Sequence, residues 1–166
     1  MNLQNISIIA ALLVMIACSK EQNNQLSMWD NYQSLALKID AQSGSASLEQ
    51  LADDAAKLTD LSLQLLPEFV KKQPICSEYL QAAMAAKDVM LTLPLAELEK
   101  FHRAGGKLPA MQYSICYHAK DLLLHPATAA VISKTHTDTP ETRDKIKQEI
   151  LEVLEHFNQV KKDSGI

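Results

Sequence analysis

The residues best suited to chemistry lie close together in the second half of the chain, in the segment Tyr113-Ser114-Ile115-Cys116-Tyr117-His118-Ala119-Lys120-Asp121-Leu122-Leu123-Leu124-His125-Pro126. Imidazole is a metal ligand, a general base and a proton carrier. On a helix His118 and His125, seven residues apart, share a face but stand roughly 10 Å apart along the axis. That separation keeps the two from gripping one ion as an i, i+4 pair does. The expected role of His118 is a hydrogen-bonded histidine at the core boundary, and that of His125 a marker of a kink before Pro126. Lys120 and Asp121 are expected to be solvated. Tyr113, Tyr117, His118 and His125 form the candidate binding cluster, because rigid aromatic groups with polar tips anchor interfaces.

Other chemistries find less support in the residues. A covalently attached c-type haem needs CxxCH, which is absent from the sequence. A non-covalent haem held by Met28 and His156 is similar in position to cytochrome b562, yet both residues fall off the apolar stripes of their helices and read as a surface pair. Met84 with His118 is no better placed. No nucleophile elbow, helix-borne metal motif or glycine-rich phosphate loop occurs. The expectation is a protein without catalysis, cofactor or metal.

The elements that must position these groups are helical throughout. Ser27 with Asp30 has the form of a capping box, followed by Trp29, Tyr32, Ala36 and Ile39 at helical spacing. A break at residues 42–46 leads to a second capping box, Ser47 with Gln50, and to the stripe Leu48, Leu51, Ala55, Leu58, Leu65 and Phe69, ended or kinked near Pro67. A third helix starts at Ile75 with Cys76, Tyr79, Leu80, Ala83, Met84 and Met90. A short piece from Pro94 carries Leu95, Leu98 and Phe101 and stops at Gly105-Gly106. Pro109 opens a fourth helix through Met111, Ile115, His118 and Leu122, and residues 126–134 resume as a short one. Thr139-Pro140-Glu141 supplies an N-cap, a proline at the first helical position and an acid at the positive pole. The last helix, with Ile146, Ile150, Val153, Leu154, Phe157 and Val160 on one face, ends at Lys161-Lys162. Four long helices plus one or two short ones predict an all-α antiparallel bundle.

Composition agrees. The 166 residues are 47% apolar and 22% charged, enough for one domain with a core. A formal charge of −4 and few aromatic residues give no basic stripe and no stacking platform, so no nucleic-acid partner is expected.

Ahead of the helices stands Ile6 to Cys18, ISIIAALLVMIAC. Its apolar run is shorter than the roughly 20 residues a spanning helix needs, but has the length of a signal-peptide core. Met15-Ile16-Ala17-Cys18 resembles the lipobox of bacterial lipoprotein precursors. The resemblance covers the first eighteen residues and implies cleavage before Cys18, a diacylglyceryl thioether on its sulfur and an acylated N-terminus. It implies attachment to a membrane through lipid, in the outer membrane facing the periplasm if the source is diderm, since Ser19 rather than Asp follows the cysteine. The parts are then 1–17 signal, 18–26 lipidated cysteine and polar tether, 27–162 bundle and 163–166 tail. With Cys18 lipidated, Cys76 and Cys116 remain as an even pair in an oxidising compartment and are expected to form a disulfide. The function expected is that of an accessory module binding an envelope protein partner. A haem-, metal- or small-ligand-binding bundle is the alternative, and a small periplasmic enzyme the second alternative.

Overall fold

The computed structural model describes residues 27–103 and 106–165. Cys18, the lipobox and the tether lie outside the described residues. Those residues form an all-α bundle in which four long helices, α1 (Met28–Gln42), α2 (Leu48–Lys72), α6 (Ser114–Thr135) and α7 (Pro140–Ser164), carry the core. Between α2 and α6 the chain makes an excursion through a 3₁₀ turn (Pro74–Cys76), α3 (Ser77–Ala85), α4 (Lys87–Met90), α5 (Leu95–Leu98) and a second 3₁₀ turn (Glu99–Phe101). None of the described helices is long and apolar enough to cross a membrane.

The starts of the long helices follow from their caps. The Ser27 side chain accepts from the Asp30 amide at 3.1 Å while the Asp30 carboxylate accepts from the Ser27 amide, closing the box. At α2 only half of the expected box forms. Ser47 accepts from the Gln50 amide, but the Gln50 side chain turns along the helix to donate its Nε2 to the Asp54 carboxylate one turn on, away from the Ser47 N–H that it would accept from in a full box. Thr139 caps α7 with Pro140 at its first position, and Gly165 ends that helix at φ 63°, a conformation that costs glycine nothing. Helix α7 therefore runs two residues past Lys162.

Three expectations are corrected by tertiary packing. The third helix is not one long element but α3 and α4 separated by a turn. The fourth does not open at Pro109, since α6 starts at Ser114 with Tyr113 as N-cap. Nor does it stop at Pro126: α6 continues through it to Thr135. Proline has no N–H to give the carbonyl four residues back. That carbonyl, on Leu122, accepts instead from the buried Tyr32 hydroxyl of α1, so the helix loses no satisfied acceptor at the break in its ladder. Likewise α2 passes through Pro67 and ends at Lys72.

The core is the meeting of α1, α2, α6 and α7. Tyr32 stacks on Phe157 at 5.6 Å, and Ile39, Leu51, Leu58, Leu65, Leu66, Phe69, Leu122, Leu123, Ile146, Ile150 and Val153 are fully buried. Arg143 ties the ends together: its guanidinium donates to the Ser43 and Ala46 carbonyls of the α1–α2 turn and pairs with Asp138. The excursion is fastened by a disulfide between Cys76 and Cys116, with Cα atoms 5.3 Å apart, and by burial of Leu80, Ala83, Met90, Leu98 and Phe101. At its far end Gly106 turns so closely under the chain that a Cβ there would lie 2.0 Å from the Lys100 carbonyl oxygen.

Candidate metal centre

Helices α6 and α7 lie against each other, and each brings polar residues to the contact at the same interval. On α6 they are His118, Asp121 and His125; on α7 they are Glu149, Glu152 and His156. Positions i, i+3 and i+7 lie on one helix face. The pairings run in opposite directions along the two helices: His118 Nδ1 is 2.8 Å from His156 Nδ1, and His125 Nδ1 is 2.8 Å from Glu149 Oε2. Between these, His156 Nε2 stands 3.6 Å from Asp121 Oδ2 and 3.9 Å from Glu152 Oε2. The excursion adds a fourth imidazole. His102, just after the second 3₁₀ turn, has its Nε2 3.3 Å from the Thr128 hydroxyl and its Nδ1 3.9 Å from Asp121 Oδ1.

Four of the chain's five histidines thus form a continuous row, with ring centroids 4.8 Å apart for His102 and His125, 5.2 Å for His125 and His156, and 5.0 Å for His156 and His118. Burial holds His102 well below the usual imidazole range, at about 4, helped by the positive potential of His125 and Lys120 and opposed by Asp121. His156 is lowered for the same first reason, burial, with Asp121 working against it and His125 and His118 adding to it. Both rings are therefore neutral near pH 7, the form that offers a lone pair.

Asp121 is the acid at the centre. The residue is 8% exposed. Its Oδ1 lies 2.7 Å from the Lys120 ammonium, yet no hydrogen bond is aligned to that oxygen. Lys120 is itself buried, its Nζ 3.4 Å from the Phe101 carbonyl and 5.7 Å from the centre of the Tyr117 ring. The expectation that Lys120 and Asp121 are solvated is therefore wrong. Each is kept in the interior by the other's charge, and a buried ion of either sign persists only with such a partner.

Two sets of three ligand-bearing side chains occur among the described residues, Asp121 with His125 and His156, and His102 with His125 and Glu149; within each the donor atoms lie within 4.8 Å of one another. A tetrahedral centre with bonds of about 2.0–2.1 Å puts its donors roughly 3.4 Å apart. Donors as far apart as 4.8 Å must draw together by roughly 1.4 Å to reach that spacing. The donors are nitrogen and oxygen, since Cys76 and Cys116 are bonded to each other. Such a set suits zinc, copper(II), nickel or cobalt rather than magnesium or calcium, which take oxygen throughout.

The sequence-derived cluster is only partly brought together. His118 and His125 do join one assembly, through partners on α7 rather than through each other. Tyr117 turns away to donate to the Met111 carbonyl and pack edge-on against Tyr79. Tyr113 is 49% exposed at the start of α6. His156 is no surface residue, its side chain being 15% exposed and set against His118, while Met28 is exposed. Asp121, Glu149, Glu152 and His102 were missed as site residues, and His156 was weighed only as a haem ligand. The signal that could have found them is the repeated i, i+3, i+7 interval of acids and histidines on two helices predicted to be neighbours. No family model matches the chain, and neither the curated proteins nor the solved structures contain a match to it.

Proposed function

We propose that this protein is a lipid-anchored envelope bundle that binds one divalent transition-metal ion through Asp121, His125 and His156. The single observation that carries the reading is that both histidines of this set have their far nitrogen already engaged. Glu149 accepts from His125 Nδ1–H, and His118 Nδ1 faces His156 Nδ1. A ligating imidazole characteristically donates its other N–H to such a partner, which fixes its tautomer and orientation. With both Nδ1 atoms protonated, both Nε2 atoms are left as donors beside the Asp121 carboxylate. His118 then accepts at Nδ1 and carries its own proton on Nε2.

The reading is one of holding rather than turnover. The cavity that reaches the row at Glu149 is about 220 Å³, below the 300–1,000 Å³ usual for small-molecule sites. The envelope setting is supported by the lipobox-like Met15-Ile16-Ala17-Cys18. In that setting Cys18 is the acylated attachment point, in the outer membrane facing the periplasm for a diderm source. Titration of the purified full chain with Zn²⁺, followed calorimetrically, should give one ion per chain, and His125→Ala should abolish the heat. A wild-type chain that takes up no ion would end the metal reading.

A second reading, docking of an envelope protein partner, is favoured by one observation. Ile75 and Tyr113, both about half exposed, flank the Cys76–Cys116 bridge and present apolar surface on a rigid base. Site-directed photocrosslinking from position 113 in the intact envelope tests it: a discrete crosslinked partner supports docking, and none argues against it.

A further inference from the structure

We propose that the row holds a single ion at two alternative stations, an outer one of His102, His125 and Glu149 through which the ion is loaded, and an inner one of Asp121, His125 and His156 where it resides. The inference rests on the metal-binding reading and adds a route to it.

Three observations separate the stations and order them. His125 belongs to both sets. Glu149 cannot serve both at once in the same way: at the outer station its carboxylate is a ligand, while for the inner station it is the acceptor that orients His125. Occupation of one station therefore dismantles the other, and the capacity is one ion. Exposure then decides which is reached first. The side chains of His102 and Glu149 are 26% and 23% exposed, those of Asp121, His125 and His156 only 11%, 12% and 15%. The cavity of about 220 Å³ lined by Leu95, Glu99, Ile132, Lys145, Gln148 and Glu149 reaches the row at the Glu149 end. An ion arriving there meets Glu149, a member of the outer set alone, before it can meet Asp121.

The two stations also differ in what holds them. The inner ligands sit on α6 and α7 alone. His102 is on the excursion, kept against the row by Thr128 and by contact with the His125 ring. A ligand that serves only on the way in lowers the barrier in both directions and leaves the equilibrium alone, because the resident state does not contain it. A resident ligand changes the equilibrium.

The test measures Zn²⁺ association and dissociation by stopped flow, with equilibrium titration alongside, on the full chain and on His102→Gln and Asp121→Asn. Circular dichroism of each variant establishes that it is folded. The expected result is one Zn²⁺ per chain. His102→Gln should slow association and dissociation together by about tenfold with an unchanged Kd, while Asp121→Asn, which alters a ligand rather than an orienting partner, should weaken Kd by at least the roughly 10–100-fold that loss of an orienting partner costs. Two ions per chain would overturn the shared-station scheme. So would a His102→Gln variant that weakens Kd as Asp121→Asn does, making His102 a resident ligand, or one with unaltered rates, which would leave the outer set without a part in loading. All three outcomes would leave metal binding by the row standing, changing only its stoichiometry, its ligands or its route, whereas a wild-type chain that binds no Zn²⁺ would remove both proposals.

Discussion

What His156 can bind is set by which of its nitrogens carries the proton. Two Nδ1 atoms 2.8 Å apart, on His156 and His118, require one donor and one acceptor. If Nε2 of His156 is the metal donor, His118 must be the acceptor. His118→Phe keeps a ring beside His156 but removes that acceptor, and should weaken Zn²⁺ affinity by about 10–100-fold. An unchanged Kd by calorimetric titration would mean that His118 orients nothing. Away from the row, Asp54 makes a separate prediction. Burial raises the Asp54 carboxyl, but bonds from Lys38 at 2.8 Å and Gln50 at 3.0 Å outweigh it, leaving the group below its ordinary value of 3.8. A folded value lowered in this way stabilises fully above the unfolded pKa and loses that stabilisation as pH falls through the folded one. Below about pH 4 the wild type should therefore lose stability more steeply than Asp54→Asn. Urea midpoints measured from neutral pH into that range check it; parallel curves would contradict it.

Between residues, the elements divide into those that sequence announces and those that packing decides. The starts of α1 and α7 were legible because Ser27, Asp30, Thr139 and Pro140 act on their own first turns. The Cys76–Cys116 pairing was legible from the count of cysteines once Cys18 is set apart, and the sulfurs are joined in the structure. The passage of α6 through Pro126 was not, since the compensating group, Tyr32, is 90 residues away. The histidine row was hidden for the same reason: the distance from His118 to His125 along one helix said nothing of what α7 would set opposite each. Tyr32 offers a direct measure of such long-range compensation. Tyr32→Phe retains the stacking on Phe157 but leaves the Leu122 carbonyl buried without a donor, at a cost of about 1–3 kcal/mol. In a Pro126→Ala background the new amide at 126 can donate to that carbonyl, so the same change should cost less. A double-mutant cycle from urea unfolding reads the difference, and strict additivity would show that the hydroxyl does not replace the missing amide.

For the whole molecule the question is what the disulfide holds in place. It joins the start of the excursion to the first turn of α6 across 40 residues, and removing a bridge of this kind costs roughly 2–5 kcal/mol. The inner station lies on α6 and α7, whose mutual packing does not pass through the bridge. His102 lies inside the bridged loop, close to the buried Phe101. Replacing both Cys76 and Cys116 by Ser should therefore lower the melting temperature and loosen the excursion while α6 and α7 keep their contact. In the folded fraction, Zn²⁺ should bind with a Kd within about threefold of wild type, since the resident ligands stay paired with their orienting partners. Association should slow, because His102 is less often in place to receive the ion. Stopped-flow association and equilibrium titration on the doubly substituted chain, at a temperature where circular dichroism shows it folded, separate the two effects. Slower loading at constant affinity would tie the bridge to the outer station alone. A Kd that weakens along with the melting temperature would mean that α6 and α7 depend on the bridge for their own register, and that the inner station is not the independent unit its geometry describes.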